Sequence, residues 1–249
     1  MTSAIRYEWR RISSIRSTWI LVACAIVIST AFAFLLSSAV GSLSSNSGAN
    51  DVPAFDLSLS SSVGSATTNL IVLVLLGTLA AQAFGQEYRN GTIRLTLTEF
   101  PKRTPIFVAK VIVCCAVVIV SFLIATVLAY LVLMGNSQLQ ADSVASFGAY
   151  VLRTCIYLIG FCLIVFAITV ITRILALGVI IPLVFAAVVE TLLGTLLSGF
   201  APWISKVLPF TSGTEFVAGT DMVRNGLVFG AWVAVLTIAG YLVFERRDA

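Results

Sequence analysis

Residues 86–110 read Gln-Glu-Tyr-Arg-Asn-Gly-Thr-Ile-Arg-Leu-Thr-Leu-Thr-Glu-Phe-Pro-Lys-Arg-Thr-Pro-Ile-Phe-Val-Ala-Lys. This is the densest charged segment of the chain, and its charged residues are Glu87, Arg89, Arg94, Glu99, Lys102, Arg103 and Lys110. The sequence on either side is almost entirely apolar over lengths of about 20 residues, which suit membrane-spanning helices. The segment therefore predicts a structured, charged connection between two spans.

The composition of the whole chain agrees with a membrane protein. Of its 249 residues, 59% are hydrophobic and 10% are charged, whereas a soluble domain carries about 25% charged residues. The apolar runs are about 20 residues long, which favours helices over the shorter alternating strands of a membrane barrel. We therefore predict an all-α integral membrane protein.

Several kinds of chemistry are unfavoured by the residue types present. The chain has no histidine, which removes the commonest metal ligand and general base. The cysteines lie within apolar runs, where thiols pack as small apolar groups; they are Cys24, Cys114, Cys115, Cys155 and Cys162. No catalytic residue, metal site or disulfide is predicted.

Binding of nucleotides or nucleic acids is also not expected. Gly194 and Gly199 have the spacing of a phosphate-binding loop, but Phe200 and Ala201 follow where that loop needs lysine and a hydroxyl residue. The basic residues flank the apolar runs and do not form one continuous basic face. The chain should therefore bind no cofactor of its own.

The predicted organisation is a single transmembrane domain over residues 1–249. Residues 1–17 predict an interfacial helix, because arginines alternate with an apolar stripe at helical spacing; the stripe is Ile5, Trp9, Ile12 and Ile15. Six spans are predicted at residues 18–40, 65–85, 104–134, 148–171, 174–198 and 222–244. Residues 41–64 predict a polar outer loop, and residues 199–221 an outer segment that lies in or dips into the interface.

The basic residues predict the orientation of these six spans, which place both termini on one side. On that side lie Arg6, Arg10, Arg11, Arg16, Arg89, Arg94, Lys102, Arg103, Lys110, Arg173, Arg246 and Arg247. The other side carries Arg153, Lys206 and Arg224. Since basic residues are retained on the cytoplasmic side, both termini and the segment 86–103 are expected there, in a multi-pass protein.

Within the charged segment, residues 86–99 are consistent with a short amphipathic helix along the membrane surface. Its apolar residues are Tyr88, Ile93, Leu95 and Leu97. Pro101 prevents simple continuation, and Thr104 followed by Pro105 is typical of a new helix start. Because this helix would be fixed to a span at both ends, a partner that pushed on it would move spans two and three together.

These residues resemble the signature of the membrane subunits of type-2 ABC exporters, the ABC-2 type transporter permeases. That signature is an acidic residue, Gly-Thr four residues later, a hydrophobic stretch, a proline, an arginine and a lysine that opens the next span. The chain has Glu87, Gly91-Thr92, residues 93–97, Pro101, Arg103 and Lys110 in this order. It departs from the usual pattern at Thr96, Thr98 and Glu99. The resemblance in overall layout covers essentially the whole chain.

The resemblance implies a permease half-unit in the plasma membrane of a bacterium, paired with a second copy or a related chain. Two partner ABC ATPase subunits would bind ATP and Mg²⁺, and the segment between spans two and three would contact them. The partner-coupling residues implied are Glu87, Arg89, Gly91, Thr92, Arg94, Pro101, Arg103 and Lys110. Alternatively, the charges of this segment simply face water and lipid headgroups.

Two of the charges inside predicted spans are candidates for a functional site. Glu190 lies in the fifth span, where an ionised carboxylate is costly unless it is paired or wetted, and Arg153 in the fourth span is at broadly similar depth. We expect either an intramembrane pair on the substrate path, or a snorkelling Arg153 with Glu190 as a cap near the outer side. Gly226 and Gly230 form a small-xxx-small pattern suited to close helix packing.

The leading functional prediction is an exporter permease for an apolar or amphipathic substrate, such as a drug, a peptide or a lipid. One alternative is a membrane immunity or sensor protein that binds a toxic peptide without pumping it. A less favoured alternative is a membrane-embedded enzyme, which would need convergent polar or acidic residues at one depth; only Glu190 and Arg153 are candidates for this. Membrane lipids are expected contacts in every case.

Overall fold

A computed structural model describes residues 2–46, 58–91, 103–135, 139, 142–197 and 205–246. The predicted coupling residues Thr92, Arg94 and Pro101 lie outside these ranges. The helices are α1 (Thr2–Ser14), α2 (Arg16–Asn46), α3 (Leu59–Thr67), α4 (Leu70–Asn90), α5 (Arg103–Met134), α6 (Val144–Thr172), α7 (Leu175–Val184), α8 (Glu190–Leu197), α9 (Pro209–Ala218) and α10 (Met222–Arg246). A π-helical turn (Phe185–Val189) joins α7 to α8, and a 3₁₀ turn (Ser205–Val207) precedes α9.

The described part of the chain contains six helical segments that are long and apolar enough to cross a membrane. They are Arg16–Val40, Leu70–Asn90, Thr104–Met134, Val144–Thr172, Leu175–Leu196 and Met222–Arg246. The predicted all-α fold with six spans is confirmed. The second span begins later than residue 65, because the helix is interrupted at Thr68 and Asn69 and the Asn69 side chain accepts a bond from the Val72 N–H at 3.0 Å.

The segment predicted as an outer polar loop, residues 41–64, is partly helical. Helix α2 continues to Asn46, and the Ser58 hydroxyl caps α3 by accepting a bond from the Ser61 N–H. Val63 and Ala66 of α3 are buried, and the buried Ser29 hydroxyl of α2 donates to the Ala66 carbonyl at 3.0 Å. The serine-rich sequence suggested a loop, but the Ser61 and Ser62 hydroxyls donate to the Ser58 carbonyl, so these polar groups are satisfied when the helix packs.

Helices α4 and α6 form the centre of the bundle. In their most apolar stretches 56% and 67% of the residues are buried, against 17% for α2 and for α10. Leu76, Phe161 and Val165 belong to the main core, which joins the two helices. At the end of α6, Arg173 takes a left-handed conformation (φ 60°) and closes the predicted tight turn into the fifth span.

An aromatic cluster (Phe84, Phe107, Phe166 and Phe244) joins α4, α5, α6 and α10 at one end of the bundle. The Phe84 ring lies 5.1 Å from both the Phe166 and the Phe244 rings in edge-on contacts. Such contacts are favourable beyond the apolar area that they bury. The cluster therefore fixes the spans where the chain leaves α4 and re-enters α5.

Candidate functional site

Helix α1 packs with a different face from the one that its apolar stripe predicted. Ala4, Glu8 and Ile12 are buried, at successive spacings of four residues that place them on one face. Trp9 of the predicted stripe is 49% exposed. The buried face of α1 therefore includes a carboxylate.

That carboxylate belongs to a four-residue ion cluster formed by Glu8, Arg11, Glu87 and Lys110. The Lys110 ammonium donates to Glu8 Oε1 at 2.8 Å and to Glu87 Oε1 at 2.6 Å. The Arg11 guanidinium lies 3.0 Å from Glu8 Oε2 and donates to Glu87 Oε1. Arg11 and Lys110 also donate to the Ala83 carbonyl, at 2.8 and 3.3 Å. The cluster thus joins α1, α4 and α5.

The ion cluster is deeply buried, which determines its energetics. The side chains of Lys110, Glu8 and Glu87 are 0%, 1% and 5% exposed, and that of Arg11 is 18% exposed. Buried charges are tolerated when they are paired and hydrogen-bonded, and here two carboxylates balance two cations. The Lys110 ammonium also lies 5.0 Å from the centre of the Phe84 ring, a cation–π contact that links the ion cluster to the aromatic cluster.

The ion cluster lies at both ends of the segment between spans two and three. Glu87 is one turn before the end of α4, and Lys110 is in the second turn of α5. Helix α4 continues through residues 86–90 and stops at Gly91, which has φ 65° and donates its N–H to the Glu87 and Tyr88 carbonyls. We predicted a separate surface helix from residue 86. This prediction is wrong over residues 86–91, because these residues form the last turn and the cap of the second span.

The predicted coupling residues divide into two groups in the structure. Glu87 and Lys110 are buried in the ion cluster, whereas Arg89 and Gly91 are exposed. Arg103 is the first residue of α5. Arg89 and Gly91 are therefore accessible for direct contact with a partner. Glu87 and Lys110 instead hold together the two ends of the segment between spans two and three. The coupling role of all these residues stays a prediction.

The sequence interpretation missed Glu8 and Arg11 as members of the site. One signal was available: Glu8 is the only acidic residue among residues 1–50, and it lies four positions from both Ala4 and Ile12. An acidic residue between two small or apolar residues at helical spacing indicates a carboxylate on a packed face. Its partner on α5, Lys110, lies 102 positions away and could not be identified from this spacing.

Glu190 caps a helix. The π-helical turn follows Pro182 and brings Glu190, which is 4% exposed, to the start of α9. Its carboxylate accepts bonds from the Phe210 N–H at 2.8 Å, the Thr211 N–H at 2.5 Å and the Thr211 hydroxyl at 2.7 Å. Leu208 precedes α9 and supplies no side-chain acceptor, so Glu190 satisfies N–H groups that would otherwise be left open and places negative charge at a helix N-terminus.

Arg153 contacts other residues than Glu190. Its Nε donates to the Ala149 carbonyl at 3.2 Å, one terminal nitrogen lies 3.5 Å from the Met222 sulfur, and its guanidinium is 5.9 Å from the centre of the Tyr150 ring. Among the residues that the structure describes, Arg153 and Glu190 form no ion pair. The predicted intramembrane pair is not formed, and capping is the role that the geometry gives to Glu190.

Gly226 and Gly230 line an apolar groove of about 360 Å³ between α6, α9 and α10. A Cβ at Gly226 would meet the Phe216 ring at 3.2 Å, whereas one at Gly230 would meet nothing within 4 Å. Tighter contacts between α6 and α10 lie at Gly160, where a Cβ would lie 2.4 Å from the Phe229 ring, and at Gly240, where a Cβ would lie 3.2 Å from the Ala167 Cα. The small-xxx-small pattern thus lies beside the main α6–α10 contact.

Comparison with known proteins gives one family and no curated relative. The sequence profile described as ABC-2 family transporter protein matches residues 4–190 of the 249. This range contains all four residues of the ion cluster and ends at Glu190. None of the curated proteins compared with the chain matches it. Because the profile covers more than half of the sequence and six apolar helices are present, the chain belongs to the ABC-2 family of transporter proteins, as a multi-pass membrane permease.

Proposed function

We propose that this permease is the membrane subunit of an ATP-driven exporter. Two partner ATPase subunits bind ATP and Mg²⁺, and their closure moves the segment between spans two and three. The permease acts as a dimer with itself or a related chain, in a bacterial plasma membrane with both termini in the cytoplasm. Family membership and the predicted orientation support this proposal.

One observation carries the proposal: the ion cluster holds both ends of the segment in a fixed relation. Glu87 at the end of α4 and Lys110 near the start of α5 are bonded to each other, and both are bonded to α1. A connection held this way cannot shift at one end alone without separating buried charges, which is costly. A force on the segment is therefore passed to α1, α4 and α5 together.

The exposed part of the segment is the expected contact with the ATPase. Arg89 is exposed in the last turn of α4, and Arg94 follows it in the sequence. Guanidinium groups make strong bonds to carboxylates, so an acidic groove on the ATPase would bind them. Glu87 and Lys110 support this contact without touching the partner.

The test is co-purification with the candidate ATPase, followed by measurement of ATP hydrolysis. The double variant Arg89→Ala/Arg94→Ala should lose the ATPase or its stimulated hydrolysis. Arg224→Ala is the matched control, because Arg224 is an exposed arginine at the other end of the spans and its loss should leave both readouts unchanged. Equal recovery and equal hydrolysis for all three proteins would refute the coupling assignment.

Transport direction and cargo need a second assay. We propose outward movement of an apolar or amphipathic compound, because the described spans carry few charges. Inside-out vesicles with the ATPase bound should accumulate fluorescent amphipathic probes when ATP is added, and the double arginine variant should not. Accumulation only in right-side-out vesicles that are loaded with ATP would indicate an importer instead.

A further inference from the structure

A second apolar groove lies at the junction of α1 and α2. Its walls are α1 around Trp9 and Ser13, the first turns of α2 around Trp19 and Val22, and residues 116–124 of α5. The junction is held by the Trp19 indole N–H, which donates to the Ser13 carbonyl at 2.9 Å. This bond ties the first turn of α2 to the end of α1 beside the groove.

The dimensions of this groove suit a hydrocarbon chain. Its volume is about 160 Å³, and apolar cavities of about 150 Å³ are known to hold one benzene molecule. Its α5 wall extends over eight residue steps, roughly 12 Å along the helix axis. A helix of about 10 Å diameter is too wide for a groove of this volume, whereas a segment of one acyl chain fits along it.

The walls of the groove favour an apolar occupant. Most of its lining residues are aliphatic or aromatic. The hydroxyls of Ser13 and Ser121 donate to the Arg10 and Val117 carbonyls of their own helices. These two hydroxyls are thus already bonded as donors, so the groove offers hydrocarbon contact and little to a polar ligand.

The entrance to the groove is basic. Arg6, Arg10 and Arg16 are exposed, and each lies three residues before a groove residue on its own helix, namely Trp9 and Ser13 on α1 and Trp19 on α2. Residues at this spacing on a helix are neighbours on its surface. The acidic residue of α1, Glu8, is buried in the ion cluster and does not offset this charge.

We propose that this groove binds one acyl chain of an anionic phospholipid, with the headgroup at the arginines of α1 and the α1–α2 junction. An apolar slot with a basic entrance at the membrane surface matches a lipid that has hydrocarbon tails and a negative headgroup. The partly exposed Trp9 and Trp19 suit the same position, since tryptophan prefers the headgroup level of a bilayer. This site depends neither on the ATPase partner nor on the direction of transport.

The experiment measures lipid retention by the purified full-length protein in detergent, using native mass spectrometry. The probes are dioleoyl phosphatidylglycerol and dioleoyl phosphatidylcholine, which have the same chains. The wild type should retain the anionic lipid preferentially. Arg10→Gln/Arg16→Gln should weaken this preference by about fivefold for each arginine removed. Lys206→Gln/Arg224→Gln removes the same charge from exposed residues at the other end of the spans and should have no effect.

A second variant tests the groove without changing charge. Ala116 lines the groove and is exposed, so Ala116→Phe should fill it and reduce retention of both lipids. Val127→Phe, at a position on the same helix that is 57% exposed and outside the groove, is the control for an added ring. Equal retention of the two lipids by the wild type, or retention unaffected by Ala116→Phe, would show nonspecific surface lipid and overturn the proposal.

Discussion

Replacing Lys110 by methionine removes the ammonium that joins α5 to the carboxylates of α1 and α4. Methionine has a similar length and keeps most of the apolar contact with Phe84. Glu8 and Glu87, whose side chains are 1% and 5% exposed, would then face each other with only Arg11 to balance them. Removing one partner of a buried ion pair costs about 3–5 kcal/mol, and we expect a loss of this size in the free energy of unfolding.

Reversible unfolding in mixed micelles of a mild detergent and dodecyl sulfate measures this loss. The double variant Glu8→Gln/Lys110→Met restores the charge balance and should recover about half of it. Arg89→Met removes an exposed cation from α4 and should change stability by no more than about 0.5 kcal/mol. A loss below about 1 kcal/mol for Lys110→Met, or no recovery in the double variant, would refute the view that the ion cluster is a balanced buried network.

Three further predictions use the same unfolding measurement. Gly160→Ala would bring a methyl group to 2.4 Å from the Phe229 ring and should lower the free energy of unfolding by about 1–3 kcal/mol. Gly230→Ala has open space around it and should leave this free energy unchanged. Equal effects of the two variants would contradict the close contact between Gly160 and Phe229. Glu190→Ala should cost about 2 kcal/mol because it leaves the first N–H groups of α9 without an acceptor, and Glu190→Gln should cost less since it keeps one acceptor oxygen. Asn69→Ala should cost about 1 kcal/mol through loss of the cap of α4, and an unchanged stability would argue against that cap.

The sequence predicted the spans well, because hydrophobic length is a local property. The turn at Thr172 and Arg173 and the start of the third span near Thr104 were found within one or two residues. The start of the second span was placed too early, since the break at Asn69 depends on one capping hydrogen bond.

The candidate site was predictable only in part. Glu87 and Lys110 were identified from a motif, but Glu8 and Arg11 join them through contacts between helices that are distant in sequence. Glu190 was recognised as an unusual charge in a span, yet its partners are mainly backbone N–H groups of Phe210 and Thr211. Backbone groups carry no residue identity, so no pattern of side chains could indicate this contact. The apolar sequence around Glu190 therefore reveals a buried charge but does not identify its partner.

The π-helical turn at Phe185–Val189 has a consequence for how the fifth span tolerates insertions and deletions. In a helix with 3.6 residues per turn, adding or removing one residue rotates everything beyond it by about 100°. Helix α7 faces α4 and α6, whereas α8 must direct Glu190 towards α9. Because the π-helical turn is wider than an α-helical turn, the side chains of α7 and α8 can face different directions around the helix axis. A deletion of one residue within it would preserve a continuous helix of suitable length for the membrane and still turn Glu190 away from the N–H groups that it caps.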